Sequence, residues 1–186
     1  MKLLDLLRRL LGGVRPLTAQ AAPVPTAHPL DETEDEEAYR AALADVLDKR
    51  TDAAARTLRA ALAELPENAR EIMVIVHPTQ DAEGPFTVML HLGGPDLFVL
   101  QKAIEPHRVL FKSRQLTLEG EGRLPLFSDF DHAFSVNDAI VDVAADWAAK
   151  VWDRAGAEKV AIPARVFGED GYGTTTPRDL PTREAP

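Results

Sequence analysis

The sequence predicts an α+β fold: a small, mostly antiparallel sheet packed with a long N-terminal helix and a C-terminal amphipathic helix. Three observations carry that expectation. Apolar side chains recur at helical spacing through residues 33–65. Two short runs rich in β-branched residues, EIMVIVH and FTVMLHL, flank the turn-forming stretch PTQDAEGP. A third pattern, residues 136–155, alternates apolar and charged side chains with the helical period and carries a cap at each end.

In chain order, the first long helix sets Tyr39, Leu43, Val46, Leu47, Ala54, Leu58, Leu62 and Leu65 on one face. Pro66 closes it, and Thr51-Asp52 can cap a second segment and break it in two. Strands follow at 71–77 and 86–92. Pairing residue 77 with residue 86 puts His77 on a face with Phe86, Val88 and Leu90, and His91 on the opposite one. Both faces of this hairpin are then mostly apolar, so each needs a cover. Gly93-Gly94-Pro95 opens a short helix with Pro95 suited to its first turn, and Pro106 ends it. Residues 114–118 and 123–127 read as a small hairpin around EGEG. The 136–155 helix is capped by Ser135 or Asn137 and stopped by Gly156. A last strand at 159–167 is interrupted at Pro163, which suggests an edge or a bulge.

The sequence predicts a short amphipathic helix at 1–14, a disordered linker at 15–35, one α+β domain at 36–173 and a disordered polar tail at 174–186. The first segment gathers Leu3, Leu4, Leu7, Leu10, Leu11 and Val14 on one helical face, with Lys2, Asp5, Arg8 and Arg9 opposite. Those charges interrupt the continuous apolar core that a secretory signal needs, and no run reaches the length of a membrane span. The net charge is −9, yet residues 1–30 are basic overall and the block DETEDEE is wholly acidic apart from Thr33. The domain itself is mildly acidic, without the clustered Lys and Arg that nucleic-acid binding requires. The chain has no cysteine, which removes disulfides, thiolate nucleophiles, iron–sulfur clusters and cysteine-type zinc sites, and fits a reducing cytoplasm.

Candidate chemistry is thin. The glycine-rich stretch GEDGYG at 168–173 lacks the Lys and Ser or Thr of a phosphate loop. Its Glu169 and Asp170 repel phosphate, so it reads as a turn with Tyr172 packed back on the core. Asp129, Asp131 and His132 form the densest polar cluster, and could hold a divalent metal or act as acid and base. Their place before a helix equally suits turns and caps. Asp138, Asp142 and Asp146 recur every four residues, as on the solvent face of an amphipathic helix whose other side holds Ile140, Val143, Ala144, Trp147 and Val151. No serine-nucleophile elbow or HExxH motif is present, and no cofactor is indicated.

The strings GPDLFVLQKAIEPHRVLF and GEDGYGTTTP resemble an uncharacterised bacterial domain family of unknown function, over roughly residues 36–177. The resemblance implies a small bacterial cytoplasmic domain and carries no activity. The leading expectation is a non-catalytic protein-interaction module, immunity-like or an accessory subunit, with an unknown protein partner. A second is a small hydrolase-type or ligand-binding enzyme using Asp129, Asp131 or His132 with His77 or His91. A third is a peripheral membrane adaptor that makes weak surface contact through residues 2–14, with Leu3, Leu7, Leu10 and Leu11 as its contact residues. Two histidines and a carboxylate in one pocket would favour the enzyme. An exposed apolar groove free of ionisable groups would favour the module.

Overall fold

The computed structural model describes residues 32–80, 84–114 and 134–183. Helix α1 (Glu32–Asp48) and helix α2 (Thr51–Ala63) occupy the span expected as one long helix. The break falls where Thr51-Asp52 suggests it. Thr51, however, does not cap α2: its hydroxyl instead accepts from Trp147 Nε1 at 3.1 Å. The four-residue spacing of Tyr39, Leu43 and Leu47 and the buried Ala54, Ala55 and Leu58 turn one stripe of each helix inward.

Strands β1 (Glu71–Pro78) and β2 (Phe86–Gly93) form the predicted hairpin. After helix α3 (Leu97–Ala103) comes β3 (Val109–Lys112), which the sequence did not reveal. Helix α4 (Val136–Ala155) begins at Ser135, whose hydroxyl accepts from Asp138 N at 3.3 Å. It stops at Gly156, which sits in the left-handed region with φ 71. Strand β4 (Ala164–Gly168) starts after Pro163, so that proline marks the head of a strand rather than a bulge or an edge. Strand β5 (Arg178–Asp179) closes the order β3-β2-β1-β4-β5.

The fold is therefore α+β, with two corrections. The sheet is mixed: β1–β2, β2–β3 and β4–β5 pair antiparallel, but β1–β4 pair parallel. The N-terminal helix is two helices, α1 and α2, both packed on α4. Residues 174–183, expected as part of a disordered tail, supply β5, and Leu180 lies in the core.

The hairpin register also differs from the expected one. Pro78, not His77, faces Phe86, and His77 faces Thr87. A one-residue shift exchanges the faces of a strand. Ile72, Val74 and Val76 consequently share the buried face with Phe86, Val88, Leu90 and Leu92. Met73, Ile75 and His77 share the other face with Thr87, Met89 and His91, all half-buried. Helix α4 packs on β1 and β4, with Trp147, Trp152 and Ile140 fully buried in the core.

The outer edge of β2 is completed in an unusual way. Only Thr87–Met89 pair with β3. Further along, Gln101 of α3 accepts from Leu92 N at 3.4 Å and donates to Leu92 O at 2.7 Å. One side-chain amide thus stands in for a strand residue, because it carries both a donor and an acceptor.

Candidate functional site

The half-buried sheet face brings together four ionisable side chains, His77, His91, Arg108 and Glu169. The register places His77 and His91 on either side of the Ile75–Met89 pair, and their rings reach towards one another, with Nε2 atoms 3.3 Å apart. His77 Nδ1 lies 2.9 Å from Glu169 Oε2, and Arg108 Nη2 lies 3.4 Å from His91 Nδ1. All four ring nitrogens thus have partners.

The chemistry of the two ends sets the direction of this chain. Arginine only donates and an ionised carboxylate only accepts. Arg108 therefore donates to His91 Nδ1, His91 Nε2–H donates to His77 Nε2, and His77 Nδ1–H donates to Glu169. In that arrangement each ring has one donating and one accepting nitrogen. A cation bridging the two Nε2 atoms would need His91 to carry its proton on Nδ1, against Arg108, whereas metal-bound histidines place an acceptor there. Among the described residues, no group of three or more His, Asp or Glu is placed to hold a metal.

Burial, then the Arg108 guanidinium and His77, push His91 down from 6.5 to about 4, with Glu169 acting in the opposite direction. The unfolded chain accordingly binds this proton at a higher pH than the folded one. Stability is expected to fall as pH drops from about 6.5 towards about 4. Urea unfolding across that window checks it, and His91→Gln should flatten the slope.

Glu169 is delivered by a strap, residues 168–176, pinned along α4. Gly173 N donates to Asp138 Oδ1 at 2.7 Å. Thr174 Oγ1 donates to Asp142 Oδ2 at 2.7 Å, and Thr175 donates to Asp142 Oδ1 through its N at 2.9 Å and its Oγ1 at 2.8 Å. Arg178 Nη1 donates to Asp146 Oδ1 at 2.8 Å, and Trp152 Nε1 to Pro181 O at 2.7 Å. The acids at 138, 142 and 146 therefore form a docking rail for the chain's own C-terminal segment, not a free solvent face. Asp142 is 5% exposed. Burial raises its carboxyl, but the Thr174 and Thr175 hydrogen bonds and Arg40 outweigh that, so its pKa lies below the ordinary value.

Between strap and sheet lies a cavity of about 460 Å³, lined by Ile75, His77, Phe167, Glu169 and Tyr172 among others. Arg165 also lines it. The Arg165 guanidinium lies 5.5 Å from the Phe167 ring centre, within reach of a cation–π contact. Its Nε lies 2.7 Å from Glu71 Oε1. The glycine-rich stretch behaves as a turn, and Tyr172 packs against the core as expected.

Asp129, Asp131, His132, the 114–127 hairpin beyond Arg114, and Leu3, Leu7, Leu10 and Leu11 lie outside the described residues. His77 and His91, expected on opposite faces, are brought together. Sequence reasoning missed Glu169, Arg108 and Asp142. Glu169 stood in a stretch read only as a turn, and no local spacing links it to residue 77.

These features define the class: a two-layer α+β protein in which a pinned strap places a carboxylate on a histidine pair at the second face of a mixed sheet. The chain belongs to DUF6389, a family of unknown function, whose model matches residues 34–182. Comparison with curated proteins and with solved structures found no match.

Proposed function

We propose that the protein is a non-catalytic protein-interaction module, an immunity-like or accessory protein of the bacterial cytoplasm, and that it binds through the half-buried sheet face. The observation that supports this most is the closure of the histidine chain. A general base needs a free nitrogen within reach of its substrate, and here each ring nitrogen is engaged by Glu169, Arg108 or the other ring. What the face offers instead is apolar surface from Met73, Ile75, Met89 and Phe167, bordered on the strap side by the exposed acids Glu169, Asp170 and Asp179. The complementary partner is a protein bringing apolar side chains to that centre and basic ones to the acidic border. Among the described residues no helix is long and apolar enough to cross a membrane.

Ile75→Asp tests it, because a buried unpaired carboxylate at the interface centre opposes binding strongly. A partner isolated from the native host should bind the full-length chain in a defined ratio. Ile75→Asp should weaken that binding by at least about tenfold, equivalent to about 1.4 kcal/mol, while the protein's own unfolding stays cooperative. Equal binding by both forms would exclude this face.

A second reading is favoured by one specific observation. His77, Glu169 and His91 are two histidines and a carboxylate at one site, and a carboxylate-oriented imidazole beside a cavity is the arrangement of a general base. Under that reading His91 is displaced when substrate enters. Turnover of a hydrolysable ester or amide panel, lost in His77→Ala, would put the enzyme first.

A further inference from the structure

We infer that the His77–His91 pair is a one-proton switch whose output is the Arg108 guanidinium: a proton taken up at the Glu169 end reverses the tautomer of His91 and drives Arg108 off the sheet face. The inference deepens the regulation of the binding face proposed above, although the switch itself operates with or without a partner.

The argument is one of donors and acceptors. In the neutral chain, each histidine has one N–H, already donated, and one lone pair, already accepting. An added proton has no unused site. Placed on His91 Nδ1, it meets the Arg108 guanidinium directly. Placed on His77 Nε2, it gives a cation whose two N–H groups face Glu169 and His91. The Glu169 link strengthens, since it becomes a charged pair at 2.9 Å. The other N–H points at His91 Nε2–H, and the contact survives only if His91 moves its own proton to Nδ1 and accepts through Nε2. His91 Nδ1–H then opposes Arg108, which cannot accept. No bond to carbon changes; one proton enters from water and one shifts across the His91 ring through solvent.

The weakest contacts lie at the output end. Arg108 touches His91 Nδ1 at 3.4 Å, and its Nε donates to Leu90 O at 3.4 Å. Both are long enough to yield before the shorter Glu169 link. Burial and the Arg108 guanidinium disfavour the charged form of His91. Charged groups of both signs face the pair. On the strap, Glu169 and Asp170 favour a cation at His77. From β4, Arg165 shares the cavity with His77 but is balanced by Glu71, and from β3, Lys112 shares a smaller cavity with His77. Arg108 itself stands at the far ring. The carboxylates Glu169 and Asp170 stand at one end of the pair and the Arg108 guanidinium at the other, so the field along the chain favours positive charge at the Glu169 end. In the acid form the face carries an added imidazolium and a freed guanidinium, and an apolar partner must desolvate both.

Long-range proton–nitrogen spectra of the imidazole rings in the full-length protein test the switch directly. At neutral pH, His77 should carry its proton on Nδ1 and His91 on Nε2. On acidification, His77 should become doubly protonated while His91 Nδ1 changes from pyridine-type to pyrrole-type, and the Arg108 Nε signal should move in step. Arg108→Met should let His91 populate both tautomers at neutral pH. The inference fails if His91 carries Nδ1–H at neutral pH, or if Arg108→Met leaves its tautomer unchanged. It fails equally if both rings titrate as independent cations, or if zinc at low concentration takes both Nε2 atoms in the native chain. These readouts need no partner, so their failure is distinct from failure of the binding reading, which the Ile75→Asp comparison decides.

Discussion

Asp142→Ala is expected to lower folding stability by about 3–5 kcal/mol, the range for removing one member of a buried, hydrogen-bonded charged group. The carboxylate accepts from Thr174 Oγ1, Thr175 N and Thr175 Oγ1, and Arg40 Nη2 lies 3.5 Å away. Alanine removes the one acceptor that these three donors and Arg40 share, and with it this anchor of the strap on α4. Urea unfolding should show a lower midpoint with an unchanged slope, because the surface exposed on unfolding is the same. Asp142→Asn keeps one acceptor oxygen and should fall between the two. The acid limb separates charge from shape. Asp142 is held below its ordinary pKa, so the stability it contributes is present at neutral pH and lost as pH falls through its folded value. Asp142→Asn should lack that acid-side loss. A cost under about 1 kcal/mol for alanine would mean that the strap does not depend on this carboxylate.

Gly173→Ala is the second large effect, at about 2–4 kcal/mol. Gly173 has φ +100, a conformation that L side chains rarely adopt, and a β-carbon there would collide with Val141 Cγ1 and stand 2.6 Å from Thr176 Oγ1. Gly171, in the same strap, also has positive φ, at +82, but a β-carbon there meets nothing within 4 Å. Gly171→Ala should therefore show the backbone cost alone, at about 1 kcal/mol. The difference between the two midpoints measures the close approach of strap to helix. Val141→Ala combined with Gly173→Ala should recover part of the loss, as expected for coupled neighbours. Equal costs at both glycines would show that the strap does not press on α4 at Val141.

Helix α4 was legible because its evidence is local. The apolar period, Ser135 and Gly156 all lie within or next to the segment they define. Strands β1 and β2 were legible for the same reason, as was the interruption near Thr51. The hairpin register was not. The connection between β1 and β2 is too long for a tight turn to dictate it, and Thr79 N bonds Pro85 O at 3.0 Å. Each strand carries apolar side chains on both faces, so hydrophobic alternation did not settle the pairing either. A shift of one residue separates a sequence with two isolated histidines from a structure in which they touch.

What the sequence by itself determined is the α+β class, the absence of cysteine chemistry, the extent of the family resemblance that the family model bears out over residues 34–182, and the main helices and strands. Tertiary structure alone decided the parallel β1–β4 pairing, the two short strands, the rail of aspartates and the Arg108–His91–His77–Glu169 chain. The physical reason is sequence distance. Thr174 and Thr175 bond Asp142 across 32 and 33 residues, and β5 is two residues long, so neither leaves a periodic or capping signal. Thr, Asp, His and Arg are ordinary surface residues until a fold turns them towards one another. Burial then converts their unmet donors and acceptors into a demand for those particular partners.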